Sequence, residues 1–107
     1  TQSCIIIGKC ANYILADCDN VVSIYLEAPR EFCVKNVMNN MGVEAEEANS
    51  LIKKTDKYRA EYYKYYTDGH IWTDPVAYDM TLNTGRISFE NCAGIITEYL
   101  QRKNLIN

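Results

Sequence analysis

The stretch VVSIYLEAPR, from Val21 to Arg30, decides the fold class of this chain. Its first eight residues, through Ala28, are mostly apolar and rich in β-branched side chains, which is typical of a strand buried on both faces. Pro29 follows at once, and proline is favoured in the first turn of a helix. The stretch therefore predicts a buried strand that leads into a helix, as in α/β proteins.

The remaining elements are predicted by working outward from this stretch. An earlier apolar run, SCIIIG, predicts another buried strand, and Ser88 is a favourable N-cap for a final amphipathic helix. The predicted strands cover 3–8, 21–28 and 78–83, and the predicted helices cover 11–16, 30–41, 45–66 and 89–102. This order predicts an α/β fold with a parallel sheet covered by helices. Three strands are few for such a sheet, so we expect further strands on its N-terminal side.

The composition narrows the possible functions. The chain has 107 residues and a net charge of −3, and its acidic balance makes nucleic acid an unlikely main partner. No apolar run is long enough to cross a bilayer, so we expect no membrane association. The five cysteines form no Cys-x-x-Cys pair and only one histidine is present, which argues against a metal site. We expect a cytoplasmic protein with reduced thiols.

The helix predicted over 45–66 carries a cluster of basic residues. Lys53 and Lys57 fall on one face, and Asp56 and Arg59 are three residues apart, so they can pair. A guanidinium held by a carboxylate at the edge of the apolar stripe is suited to a bidentate phosphate contact. The pattern predicts Arg59 as a phosphate-stabilising residue, Asp56 as its orienter and Lys53 as an auxiliary cation. The alternative is a solvated face of lysines with no ligand.

Two further candidates follow predicted strands. Gly8 and Lys9 end the first strand, and Asn83, Thr84 and Arg86 belong to the turn after the last strand. Ligands of open α/β sheets bind at the carboxyl ends of the strands, so both segments are placed to meet a ligand. Each segment can also be an ordinary strand end with an exposed cation.

The tyrosines and the missing motifs also bear on function. Five of the nine tyrosines lie between positions 58 and 66, where they can stack on bases or pack the helix, and we favour packing. No G-x-x-x-x-G-K-[ST] motif occurs in the chain, so these residues include no phosphate loop for a triphosphate.

Several stretches, in this order, resemble the cytidylate kinase-like family of P-loop nucleoside monophosphate kinases. The likeness extends from Cys4 to about Leu100. Three matching segments are IIIGKCANYIL (5–15), the Ala-Pro helix start (28–29) and ANSLIKKTDKYRAEYYKYYT (48–67). A fourth spans 78–86 and contains Tyr78-Asp79, Leu82-Asn83-Thr84 and Arg86.

The resemblance implies a P-loop kinase-like three-layer α/β fold with a helical lid. It implies transfer of a phosphoryl group from ATP, with Mg²⁺, to a nucleoside monophosphate such as CMP or dCMP. It divides the chain into an acceptor-side strand and crossover (3–28), a helix (30–41), a lid helix (45–66), and a last strand with the C-terminal helix (77–103). We expect the N-terminal strand and the phosphate loop to belong to a missing segment of the same protein.

The resemblance also assigns roles to residues. It maps the lid's Asp-x-x-Arg pair onto Asp56 and Arg59, an acceptor-binding Gly-Arg onto Gly8 and Lys9, and an ATP-side loop onto the turn at 83–86. The family usually carries arginine where this chain has Lys9, Cys33 and Asn36.

Three hypotheses about function follow. The first is a kinase that is active in the full-length protein, with the 107 residues inactive alone. The second is a nucleotide-binding module without catalysis, which the replaced arginines favour. The third is an interaction domain that uses the tyrosine-rich helix.

Overall fold

The computed structural model describes residues 4–8 and 10–107. They form a mixed α/β chain with four α-helices, one short 3₁₀ helix and a two-stranded sheet. The elements in chain order are α1 (Ala11–Ile14), β1 (Ile24–Glu27), α2 (Arg30–Met41), α3 (Ala45–Tyr66), the 3₁₀ helix (Pro75–Ala77), β2 (Met80–Asn83) and α4 (Phe89–Arg102).

The two strands are parallel and in a register that aligns their carboxyl ends. Ile24 lies opposite Met80, and Glu27 lies opposite Asn83. Parallel neighbours require a long crossover, and here the chain between them contains α2 and α3, which pack on each other. The alignment leaves one sheet edge where the residues after β1 and the turn after β2 are neighbours.

The long helices begin and end where local chemistry predicts. The helices α2 and α3 have the predicted bounds, and Gly42 ends α2 with a left-handed φ of 65°. The predicted N-cap of α4 is also confirmed, because the Ser88 hydroxyl accepts a hydrogen bond from the Asn91 amide at 3.1 Å. The helix α1 and both strands are shorter than predicted.

The buried strand predicted over 3–8 is wrong for the part of it that is described. Residues 4–7 form no strand, and Ile5 and Ile7 are 92% and 87% exposed. A strand buried on both faces needs neighbouring strands and covering helices. In the described part of the chain the sheet consists of β1 and β2 alone, so no strand pairs with this apolar run.

The packing of α3 explains one tyrosine and leaves others exposed. Tyr63 is buried, and its hydroxyl accepts a hydrogen bond from the Asn12 amide at 3.0 Å. Buried Thr67 donates its hydroxyl proton to the Tyr63 carbonyl at 2.6 Å. Tyr58 and Tyr65 are 67% and 78% exposed. Tyr63 packs into the fold as predicted, whereas the rings of Tyr58 and Tyr65 contact tyrosine rings on α3 itself, at 6.1 Å from Tyr62 and 4.9 Å from Tyr66.

Candidate functional site

A groove of about 520 Å³ lies at the carboxyl end of β1, and we call it the strand-edge groove. It is bounded by the end of β1 and the residues after it, the first turn of α2, the middle of α3 and the loop after α3. The lining residues that bear on function are Tyr25, Glu27, Cys33, Asp56, Lys57, Arg59 and Trp72.

Arg59 lines this groove, and its side chain is exposed. Burial raises the pKa of Tyr25, the nearby carboxylates of Glu27 and Asp56 raise it further, and the Arg59 guanidinium opposes the rise. The side chains of Glu27, Asp56 and Arg59 all line the groove beside Tyr25.

The predicted pairing of Asp56 with Arg59 is wrong. The Asp56 carboxylate instead pairs with Arg30, with 3.9 Å between Oδ2 and Nη1. Arg30 is held in place by Asn49, to which it donates through Nε at 3.1 Å and through Nη2 at 3.0 Å. Because α2 packs on α3, a tertiary partner takes the carboxylate. Among the described residues, Arg59 has no ion pair.

An aromatic wall forms one side of the groove. Tyr25 stacks on Tyr78, with ring centroids 5.3 Å apart and planes inclined by 25°. Trp72 meets Tyr25 edge to face at 5.3 Å, and its carbonyl accepts a hydrogen bond from the Tyr78 hydroxyl at 2.6 Å. Sequence reasoning missed Trp72, because it belongs to a loop without a motif. The one signal was that this is the only tryptophan in the chain.

The turn after β2 lies at the same sheet edge, as predicted. Thr84 donates to the Glu27 carbonyl from its amide at 2.7 Å and from its hydroxyl at 3.2 Å. The Asn83 side-chain oxygen accepts from the Gly85 amide at 2.9 Å, and Arg86 is exposed. The turn is thus fastened beside the end of β1, although its residues are not in the described lining of the groove.

Two of the remaining predicted site residues are outside the groove, and the third is not described. Gly8 lies just before α1 and has a left-handed φ of 71°. Its carbonyl accepts a hydrogen bond from the Ala11 amide. Lys9 lies outside the described residues. Lys53 is exposed one turn before Lys57, and the described lining includes Lys57 instead. The structure therefore brings Asp56, Arg59 and Lys57 together but does not join Gly8 or Lys53 to them.

Metal and membrane features are also absent from the described residues. Nowhere in 4–8 and 10–107 do three or more histidine, cysteine or acidic side chains group so that they could hold a metal ion. None of the helices in the same ranges has the length and apolar character needed to span a bilayer.

The fold and the groove define an α/β chain with cations placed at a sheet edge, and comparison with known proteins identifies its class. Residues 1–86 match the cytidylate kinase-like family. Because the match covers most of the chain, the chain belongs to the cytidylate kinase-like family. The resemblance stated from the sequence is confirmed.

Two relatives show how much of a complete protein this chain represents. A cytidylate kinase from Sulfolobus acidocaldarius is 32% identical over 85 residues, which are 78% of this chain and 46% of that protein. A crystal structure of an uncharacterised protein from Eubacterium ventriosum is similar with a TM-score of 0.83 and 29% identity, over 89% of this chain and 52% of that one. The chain thus spans about half the length of both relatives.

Proposed function

We propose that this chain is the acceptor and lid portion of a nucleoside monophosphate kinase with a P-loop fold. The reaction would transfer the γ-phosphoryl group of ATP to a nucleoside monophosphate of the CMP or dCMP type. The observation that carries the proposal is that Arg59 lines the strand-edge groove and has no ion pair among the described residues. Its guanidinium is therefore available to a phosphoryl group.

Phosphoryl transfer requires the protein mainly to position the reactants and to stabilise their charge, and it requires little covalent chemistry from the protein. In phosphoryl transfer, negative charge is spread over the equatorial oxygens, and cations around them stabilise the transition state. Arg59 and Lys57 both lie in the groove and supply two such cations. The planar guanidinium of Arg59 can donate two parallel hydrogen bonds to one phosphoryl group.

Asp56 would act indirectly. Its carboxylate is bound to Arg30, which is in turn bound to Asn49, so it joins α2 to the middle of α3. This contact links the first turn of α2 to the part of α3 that carries Arg59. We propose that Asp56 positions the helix, whereas the sequence predicted that it holds the guanidinium directly.

The triphosphate and its Mg²⁺ would depend on other parts of the protein. The described residues offer no group of three or more potential metal ligands, and the sequence contains no phosphate-loop motif. Mg²⁺ in such enzymes is usually held by one or two carboxylates together with the substrate phosphates, so it would bind along with the triphosphate. We therefore propose that the 107 residues alone do not turn over ATP.

A second candidate is a nucleotide-binding module without catalysis. The groove contains Cys33, whose thiol donates to the Ala28 carbonyl at 3.7 Å, at a position where the resemblance implies an arginine. A thiol cannot stabilise phosphoryl charge as a guanidinium does. This candidate predicts saturable binding of a nucleoside monophosphate with no turnover.

The experiment is an ATP-dependent phosphorylation assay on the full-length protein with CMP as acceptor. We expect Arg59→Met to lower kcat/KM by about a hundredfold or more, because it removes a cation that acts in the transition state. Lys54→Met is the matched control, since Lys54 is an exposed cation on α3 outside the described lining of the groove. Equal activity of both variants would contradict the role of Arg59, and wild-type binding without turnover would favour the second candidate.

A further inference from the structure

Trp72 contacts two tyrosines beside the strand-edge groove, Tyr25 through its indole and Tyr78 through its backbone carbonyl. Trp72 meets Tyr25 with planes inclined by 70°, and its carbonyl is tied to the Tyr78 hydroxyl. Tyr78 in turn stacks on Tyr25, so the Tyr25 ring contacts both of the other aromatic rings. A T-shaped contact uses at most one face of the indole. Since Trp72 also lines the groove, it offers an aromatic surface there that is positioned before a ligand arrives.

The charges of the same groove have both signs. Arg59 and Lys57 are cations, and Glu27 and Asp56 are anions. Asp56 is already paired with Arg30, whereas Glu27 makes no ion pair with any residue in the described part of the chain. A matching ligand must therefore combine a flat ring, a negative group and a hydrogen-bond donor.

A nucleoside monophosphate has these three features in one molecule. We infer that its base stacks on Trp72, that its phosphate faces Arg59 and Lys57, and that Glu27 accepts a hydrogen bond from an amino group on the base. The inference rests on the proposed function and adds the residues that bind and select the base. A carboxylate only accepts hydrogen bonds, so it favours the amino group of cytosine or adenine. The carbonyl oxygen of uracil at the same place would be a second acceptor and is disfavoured.

The test is isothermal titration calorimetry of the full-length protein with CMP and with UMP. The variants are Trp72→Leu, Trp72→Phe, Glu27→Gln and Arg59→Met, each checked for folding by its circular dichroism spectrum and Tm. We expect Trp72→Leu to weaken CMP binding by about tenfold, which is the size of one lost stacking contact. Trp72→Phe keeps a flat ring and should bind CMP within about threefold of the wild type.

The base preference tests Glu27 separately. The wild type should bind CMP more tightly than UMP, and Glu27→Gln should remove most of this preference, because an amide can donate to uracil as well as accept from cytosine.

The outcomes separate this inference from the function on which it rests. If Arg59→Met weakens CMP binding but Trp72→Leu does not, stacking on Trp72 is refuted and the proposed function stands. If Glu27→Gln keeps the full preference for CMP, selection by Glu27 is refuted. If neither nucleotide binds the wild type, the proposed function fails and this inference fails with it.

Discussion

Asp56 and Arg59 illustrate how a tertiary contact replaces a local one. Their spacing of three residues on α3 permits a pair, but the Asp56 carboxylate lies 3.9 Å from Arg30. Arg30 is fixed by two hydrogen bonds to Asn49, so less side-chain freedom is lost when it pairs with Asp56. The consequence is an arginine in the groove that has no internal ion pair among the described residues.

The pKa of Tyr25 gives a prediction about stability at alkaline pH. Burial raises this pKa above the ordinary value of about 10, so the native state holds the phenolic proton more firmly than the unfolded state. The stabilisation is complete below the ordinary pKa and is lost as pH rises through the raised one. We expect Tyr25→Phe to lose less stability than the wild type as the pH rises above about 10. Urea unfolding at several pH values measures this difference.

The matched control for that experiment is Tyr58→Phe. It removes a hydroxyl from a tyrosine that is 67% exposed on α3 and does not line the groove. Identical pH profiles for Tyr25→Phe and the wild type would show that Tyr25 does not carry the effect.

At the scale of elements, helices were predicted better than strands because their signals are local. Pro29 and Gly42 directly flank α2, and Ser88 directly precedes α4, so the bounds of α2 and the start of α4 follow from such signals. A strand is defined by partners far along the chain. The run at 5–7 is as apolar as β1, but in the described part of the chain only β1 and β2 pair.

The strand-edge groove could be predicted only in part, because some of its residues come together from distant parts of the chain. Arg59 and the turn at 83–86 were found because each follows a recognisable pattern of charge or turn residues. Trp72 and Glu27 carry no such pattern, since they meet only when the loop after α3 folds onto the end of β1. Arg30 was missed as the partner of Asp56, because the packing of α2 on α3 decides it.

The turn after β2 gives a prediction about stability. A Cβ added to Gly85 would lie 2.6 Å from Cδ of Pro29, whose rigid ring cannot move aside easily. The turn therefore needs glycine for close approach to the start of α2. We expect Gly85→Ala to lower the free energy of unfolding by about 1–3 kcal/mol, measured by urea denaturation.

Gly94→Ala is the control with the opposite expected sign. Gly94 lies inside α4, and an added Cβ there meets no atom within 4 Å. Alanine is the better helix former, so this variant should gain about 0.5–1 kcal/mol. Destabilisation of the same size by both substitutions would mean that the contact with Pro29 is not the cause.

At the scale of the whole molecule, the described chain combines a helix of 22 residues with a sheet of two strands. It covers 46% of the cytidylate kinase that it resembles and 52% of the similar crystal structure. Several large apolar side chains are exposed, including Ile5, Ile7 and Phe89. We propose that the remainder of a kinase fold packs on this exposed apolar surface and works together with the strand-edge groove.

The most direct measurement is a crystal structure of the full-length protein with CMP bound. The account predicts that the phosphate lies in the strand-edge groove, with an oxygen within hydrogen-bond distance of the Arg59 guanidinium. A phosphate bound elsewhere, with the Arg59 side chain directed into solvent, would contradict it.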